Sequence, residues 1–498
     1  MTETSPAAPS STFSRHDKII LALVCTAQFM VILDVSIVNV ALPAMGRSLH
    51  YSATGLQWVV NAYVLAFGGF LLFGGRAADL FGRRKTFLFG AMLFSAASLA
   101  GGLAQNSGWM TAARVAQGLG GAFLSPATLT IIVTTFSGPR LPKALGAWGA
   151  VSGAGGAVGS LLGGVLTAEL SWRWVLYVNV PIGIAVVIVA FTSLTEAARR
   201  PPGAKLDVAG AVLVTVGLTA VIYAIVGTDT HPWGSGFTLA WLGAGAAILA
   251  LFALVETKLA KDPLIPFSFF KSRATSTTNI VMFMVGASTF SMWYFLTLYY
   301  QEVLGWGALK TGFAFAPQAI AIILGAQISA RLMPKIGTWP IILFGSACST
   351  IGFFVLAHLS PISPYFTFLI FPTCVLTFGL GLLFSPLAAS ATSHVGHEQA
   401  GLASGVLNTS RQIGGSFGLA VLATIAVNAT KNVLPSYVPS FQHLPSLAEK
   451  VALNHGYHIA FFFGGVISLI GLIAALFMPR NVGLAARAAA PVPEPVSS

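Results

Sequence analysis

The chain has 498 residues, 55% of them hydrophobic and only 8% charged, against roughly 25% charged in soluble domains. No aqueous fold hides that much apolar surface, so the composition excludes a soluble enzyme and implies an all-α membrane protein with many spans. The net charge of +12 would suit a nucleic-acid binder, but the positives lie in short turns rather than on one patch, which excludes that class.

The first fourteen residues, MTETSPAAPSSTFS, are polar and carry no basic n-region. The apolar run after them exceeds a signal-peptide core and reads as a retained first span. Segments of about 20 apolar residues then recur at 19–42, 57–74, 87–105, 110–134, 144–168, 174–194, 208–228, 238–256, 278–301, 311–333, 339–358, 364–388, 402–427 and 457–478. Fourteen spans put both termini on one side. Nineteen of the 26 basic residues fall in the tails and the turns on that side, five opposite, and Arg114 and Arg411 lie within spans. The excess of Lys and Arg assigns the termini to the cytoplasm. Cys25, Cys348 and Cys374 all lie in apolar runs, so neither a disulfide framework nor a metal site is expected.

The seventh and eighth spans carry hardly any polar groups except at their ends. The expected organisation is a cytoplasmic tail (1–18), a six-helix bundle (19–200), two inserted helices (201–275), a second six-helix bundle (276–480) and a disordered cytoplasmic tail (481–498). Gly325 to Gly337, GAQISARLMPKIG, reads as a worn copy of the turn after the second span, and repeated bundles are a transporter arrangement. The stretch from Asn428 to Tyr457 is polar and contains proline; it reads as a long outer loop.

Several polar groups stand at membrane depth. Asp34 is a lone carboxylate in the first span, where a charge costs on the order of 2.5–3.5 kcal/mol. It is either a proton carrier or a structural acid bonded to Ser or Asn or paired with Arg114 or Arg411. Arg114 needs an acceptor, and Gly118 one turn on lets a neighbouring helix approach. In the fifth span Gly155, Gly159, Gly163 and Gly164 suit close helix packing. Ordinary wall residues for a cavity are apolar and aromatic with a few polar handles. The candidates are Gln28, Asn39, Gln57, Trp58, Asn61, Tyr63 and Gln117, then Phe290, Trp293, Tyr294, Phe295, Tyr299, Gln318, Asn408 and Arg411. His394, His397 and Glu398 in a turn read as a solvated cluster rather than a metal site. Only Asp34 among the acids lies deep in a span, so one proton per cycle and neutral or monocationic cargo are the simplest expectation.

Between the second and third spans, Gly74 to Leu88 reads GGRAADLFGRRKTFL, with Gly75, Asp79, Gly82, Arg83, Arg84 and Lys85 in a basic turn. This turn resembles the Gly-x-x-x-Asp-x-x-Gly-Arg-Arg/Lys-Lys loop of the major facilitator superfamily. The first span around Asp34-Val-Ser-Ile-Val-Asn39 and the fifth-span glycines resemble its fourteen-span drug:proton antiporter branch, as do Ser171 to Gly183 and Gly401 to Gly415. Ser160 replaces the family's proline. The resemblance implies a proton-coupled antiporter of the cell membrane, not an enzyme, exporting amphipathic drugs or antibiotics by alternating access. A metabolite or siderophore exporter, or an importer, is the alternative. It further implies Asp34 and Arg114 as the proton-coupling residues, the Asp79 turn as a conformational latch and the fifth-span glycines as antiporter-type packing. No cofactor beyond the proton gradient is expected. The expected partners are a small amphipathic substrate, protons and the lipid bilayer, with no nucleic acid, for a monomeric protein.

Overall fold

The computed structural model describes residues 13–136, 140–195, 207–260, 263–265, 267–393, 400–438 and 445–480, and these form helices with no strand among them. In chain order the α-helices are α1 Arg15–Ser48, α2 Trp58–Phe81, α3 Arg83–Gly102, α4 Ser107–Thr135, α5 Arg140–Glu169, α6 Trp174–Tyr177, α7 Asn179–Ser193 and α8 Val208–Val226. They continue with α9 Gly236–Leu254, α10 Arg273–Leu298, α11 Ala308–Ala314, α12 Ala316–Ile336, α13 Trp339–Leu356, α14 Ile370–Thr392, α15 Ala400–Tyr437 and α16 Pro445–Leu476.

Among the described residues twelve helices, some joined through a short 3-10 or π turn, are long and apolar enough to cross a membrane. The expectation of fourteen goes beyond that number. The other two segments are helical as well, in α3 and α5, but α3 begins with Arg83, Arg84 and Lys85, which leaves 86–102 as its apolar part. The expected outer loop from Asn428 to Tyr457 is corrected: α15 runs on to Tyr437 and α16 starts at Pro445. Polar side chains past the apolar run end the hydrophobic signal, not the helix. Proline suits the first helical position of α16, where its missing N–H is no loss. The residues of the His394–Glu398 turn and the loop around Lys205 lie outside the described residues.

The chain divides into two compact units. The first holds Met1–Ala220, Gly243–Leu264 and Trp306–Ala316; the second holds Val221–Leu242, Ile265–Gly305 and Pro317–Ser498. In the first unit Ser14 caps α1, its Oγ accepting from the Asp17 amide at 3.1 Å while Asp17 accepts from the Ser14 amide at 3.0 Å. Arg140 at the start of α5 then donates to Asp17 at 3.0 Å, tying the two helix ends together. Inside lipid the hydrophobic effect gives helices little reason to associate, so close backbone packing takes its place. Gly118 of α4 lies against the Tyr63 backbone of α2, and Gly120 of α4 against the Phe94 backbone of α3. In the second unit Gly414 and Gly418 bring α15 onto α10, while Gly325 and Gly381 do the same for α12 and α14.

The two basic turns share one device. α2 ends at Gly82 with φ 98° and α12 is followed by Gly337 with φ 81°, a region that side chains with a Cβ rarely occupy. The worn copy read from the sequence therefore keeps the backbone turn of the first.

A Cβ on Gly120 would come 2.5 Å from the Phe94 nitrogen, whereas one on Gly146 in α5 meets no atom within 4 Å. Gly120→Val is expected to destabilise by about 1–3 kcal/mol through overpacking, and Gly146→Val by much less. Thermal unfolding of the purified variants in detergent measures the difference.

Candidate functional site

Asp34 is fully buried in the first unit, halfway along α1. Its Oδ2 accepts from Arg114 Nη1 at 2.6 Å; its Oδ1 accepts from Gln117 Nε2 at 2.6 Å and from Asn179 Nδ2 at 2.9 Å. Arg114 is only 2% exposed. Its Nε donates to the Val59 carbonyl at 2.9 Å, its Nη1 also donates to Gln117 Oε1, and its guanidinium carbon lies 4.4 Å from the centre of the Tyr63 ring. Gln117 thus touches both charges and also donates to Ser98 Oγ at 2.7 Å. Side chains from α1, α3, α4 and α7 and a carbonyl from α2 converge on one ion pair. Of the alternatives open for Asp34, the structure shows pairing with Arg114 and bonding to an Asn and a Gln.

Local sequence explains the convergence. Arg114 and Gln117 are three residues apart and therefore share a face of α4. Gly118 and Gly121 bring that face against Tyr63 and Phe67 of α2. A Cβ on Gly155 would meet Ile32, one on Gly159 would collide with Ser36 and one on Gly163 would lie 2.7 Å from the Ile37 carbonyl. These three glycines press α5 onto the turn of α1 that carries Asp34, and Ser36 Oγ donates to the Gly155 carbonyl at 3.2 Å. Gly164 faces α11 instead, where a Cβ would lie 2.7 Å from the Ala308 carbonyl. Ser160, in the place of the family's proline, leaves α5 a continuous helix.

In the basic turn, Gly75 is within α2, Gly82 links α2 to α3, and Arg83, Arg84 and Lys85 open α3. The side chain of Asp79 lies outside the described residues. Cations at a helix N-terminus oppose its dipole, so helix stability does not account for them. Arg84 Nη2 reaches the Phe191 carbonyl near the end of α7 at 2.9 Å, and its guanidinium carbon lies 5.8 Å from that ring's centre.

The remaining candidates separate into handles and packing. Gln28 accepts from Ser125 Oγ at 3.0 Å, Asn39 donates to the Val35 carbonyl at 2.8 Å, and Asn61 donates to Gln57 at 3.3 Å. Gln57 Nε2, Asn61 Oδ1 and the Tyr63 hydroxyl are buried without a hydrogen-bond partner among the described residues. Trp58 is half-buried beside them in sequence. In the second unit Tyr294, Phe295 and Tyr299 are buried, and Phe295 packs with Tyr457 and Phe461 at ring separations of 5.8 and 6.2 Å, which makes it core. Phe290 and Trp293 are half-buried, Phe290 facing Gly415. Both amide atoms of the buried Gln318 lack a partner among the described residues. Arg411 Nε and Nη2 donate to Asn408 Oδ1 at 3.3 and 3.1 Å. Sequence reasoning missed Asn179 and Ser98; the signal for Asn179 was an amide inside the otherwise apolar run Val175 to Gly183.

The arrangement holds a charge pair inside an apolar bundle, and among the described residues no group of three metal-ligating side chains converges. The sequence signature of the Major Facilitator Superfamily matches residues 24–419. The chain is 44% identical over 413 residues to the cephamycin export protein CmcT of Amycolatopsis lactamdurans, covering 82% of this chain and 85% of that one. It is 38% identical over 459 residues to the puromycin resistance protein pur8 of Streptomyces alboniger, covering 91% and 90%. Its fold matches a crystal structure of a D-xylose-proton symporter with a TM-score of 0.64 at 13% identity, over 94% of this chain and 99% of the other. The chain is a multi-pass membrane protein and belongs to the major facilitator superfamily.

Proposed function

We propose that the chain is a proton-coupled antiporter that exports amphipathic drugs or antibiotics across the cell membrane by alternating access. The observation that carries this reading is the buried Asp34–Arg114 pair at 2.6 Å, an intramembrane carboxylate of the kind that marks proton pathways. The antibiotic export and resistance proteins among its relatives support the cargo class. In this reading the two segments α3 and α5 also cross the membrane, which gives fourteen spans with both termini in the cytoplasm. Residues 19–200 and 276–480 are the two working bundles, with 201–275 inserted between them in the chain. The protein works as a monomer on the proton gradient, without a cofactor.

The coupling assignment is tested in everted vesicles loaded by a pH gradient. Asp34→Asn is expected to reduce proton-driven efflux to background while substrate binding partly survives, and Asn179→Ala, which removes one donor to the carboxylate, to give an intermediate rate. Full proton-driven efflux by Asp34→Asn would move the proton site elsewhere.

For the basic turn, Asp79→Asn is expected to leave expression near normal and to cut efflux severely, with cysteine accessibility shifted toward the cytoplasmic side. Unchanged efflux would leave that turn a topology signal only.

Orientation is read by single-cysteine labelling in a background lacking Cys25, Cys348 and Cys374. An impermeant reagent added to intact cells is expected to mark a cysteine at position 432 and to spare one at 205. The reverse pattern would overturn the orientation.

A further inference from the structure

Arg411 is the second arginine within a span and lies in the second unit, but among the described residues no acid pairs with it. It lies eleven residues into α15, about 16 Å along a helix that rises about 1.5 Å per residue. A cation at such depth is costly and needs an acceptor or a wet path. Two of its nitrogens share the single oxygen of Asn408, on the same helix, and its guanidinium carbon stands 5.8 Å from the centre of the Phe384 ring. Among the described residues no carboxylate comes within 4.0 Å of it, and Nη1 donates to none of them. Glu398 precedes it by thirteen residues in the chain.

The helix cannot turn this group away. Gly414 and Gly418 press α15 onto the backbone of α10 at Phe283 and Ala287, and Gly286 of α10 rests on the carbonyl of Arg411 itself. The backbone is thereby held in place, and the residue is half-buried. A guanidinium offers a planar fork that matches a carboxylate or sulfonate. The adjoining aromatic ring suits an apolar body. Asp34, in contrast, already has both oxygens occupied, so it offers no free deep carboxylate to a cationic cargo.

We propose that Arg411, positioned by Asn408 beside Phe384, binds the anionic group of the cargo, a carboxylate or sulfonate on an apolar body. This rests on the export reading and departs from the neutral or monocationic cargo that a lone acid suggested. Export of one such anion against entry of one proton moves two charges in the direction that an interior-negative membrane favours.

The test uses three matched probes, dansyl-taurine (sulfonate), dansyl-ethanolamine (uncharged) and dansyl-choline (cation), with the full chain in phosphatidylcholine nanodiscs. The wild type is expected to bind the sulfonate about tenfold more tightly than the uncharged probe, the scale of one charge-assisted contact. Arg411→Gln is expected to erase that preference, and Arg411→Lys to keep part of it, which separates lost recognition from lost folding. In proteoliposomes, export of dansyl-taurine should slow when the membrane potential is collapsed at constant pH gradient. Equal binding of all three probes by the wild type, or an unchanged preference in Arg411→Gln, overturns the inference. Asp34→Asn retaining the sulfonate preference while losing proton-driven export would show the two assignments to be separate, and supports this one. A sulfonate preference in a wild type that transports nothing would sink the export reading alone.

Discussion

A carboxylate and a guanidinium sealed together among apolar helices are the constraint around which the first unit is arranged. Removing two charges from water costs several kcal/mol per ion, and only close geometry and further hydrogen bonds repay it. Asp34 and Arg114 meet at 2.6 Å. Gln117, Asn179 and the Val59 carbonyl supply the further bonds. Gly118 lets α2 and α4 touch at the backbone beside the Val59 carbonyl that Arg114 uses, and Gly155 and Gly159 hold α5 against the turn of α1 that carries Asp34. The glycines and the ion pair are parts of one solution: small residues bring the helices together, and the ion pair gives them a common point to close on.

The same saturation gives protonation a structural meaning. A proton arriving at Oδ2 would meet the Arg114 donor, and one at Oδ1 would meet two amide donors. Neutralising Asp34 would therefore release at least one neighbour, and a buried cation deprived of its partner is destabilised by about 3–5 kcal/mol. Gln117 is suited to share that change because its two ends bind the two members of the pair. Asn179 extends it to α7, and Ser98 to α3.

Much of this was legible in the sequence, for reasons that differ by element. The class followed from composition, because a chain with so few charges has no aqueous solution. The basic turn, Asp34 and Arg114 stood out because each is costly where it lies. Their pairing was one of several open readings, since residues 80 apart in the chain carry no local sign of contact. Asn179 was passed over because a single amide in an apolar run resembles a tolerated polar residue. The aromatic stripe at Tyr294 and Phe295 offered the same pattern for a cavity wall and for a core, and Phe295 turned out to pack inside its own unit. The stretch after Asn428 was misread because loss of hydrophobicity was taken for loss of helix.

That helical continuation changes what the protein presents to water. α15 has 38 residues and α16 has 32, about 57 and 48 Å of helix at about 1.5 Å per residue, whereas the hydrocarbon layer is about 30 Å thick. Asn454 Nδ2 donates to the Leu359 carbonyl at 3.1 Å, so the early turns of α16 are fastened to the segment after α13. At that length the polar end of α15 and the start of α16, both in the second unit, extend past the hydrocarbon layer. Such a projection gives an antibody fragment or a designed helical binder an ordered epitope, and with it a handle for restraining the second unit from the aqueous side.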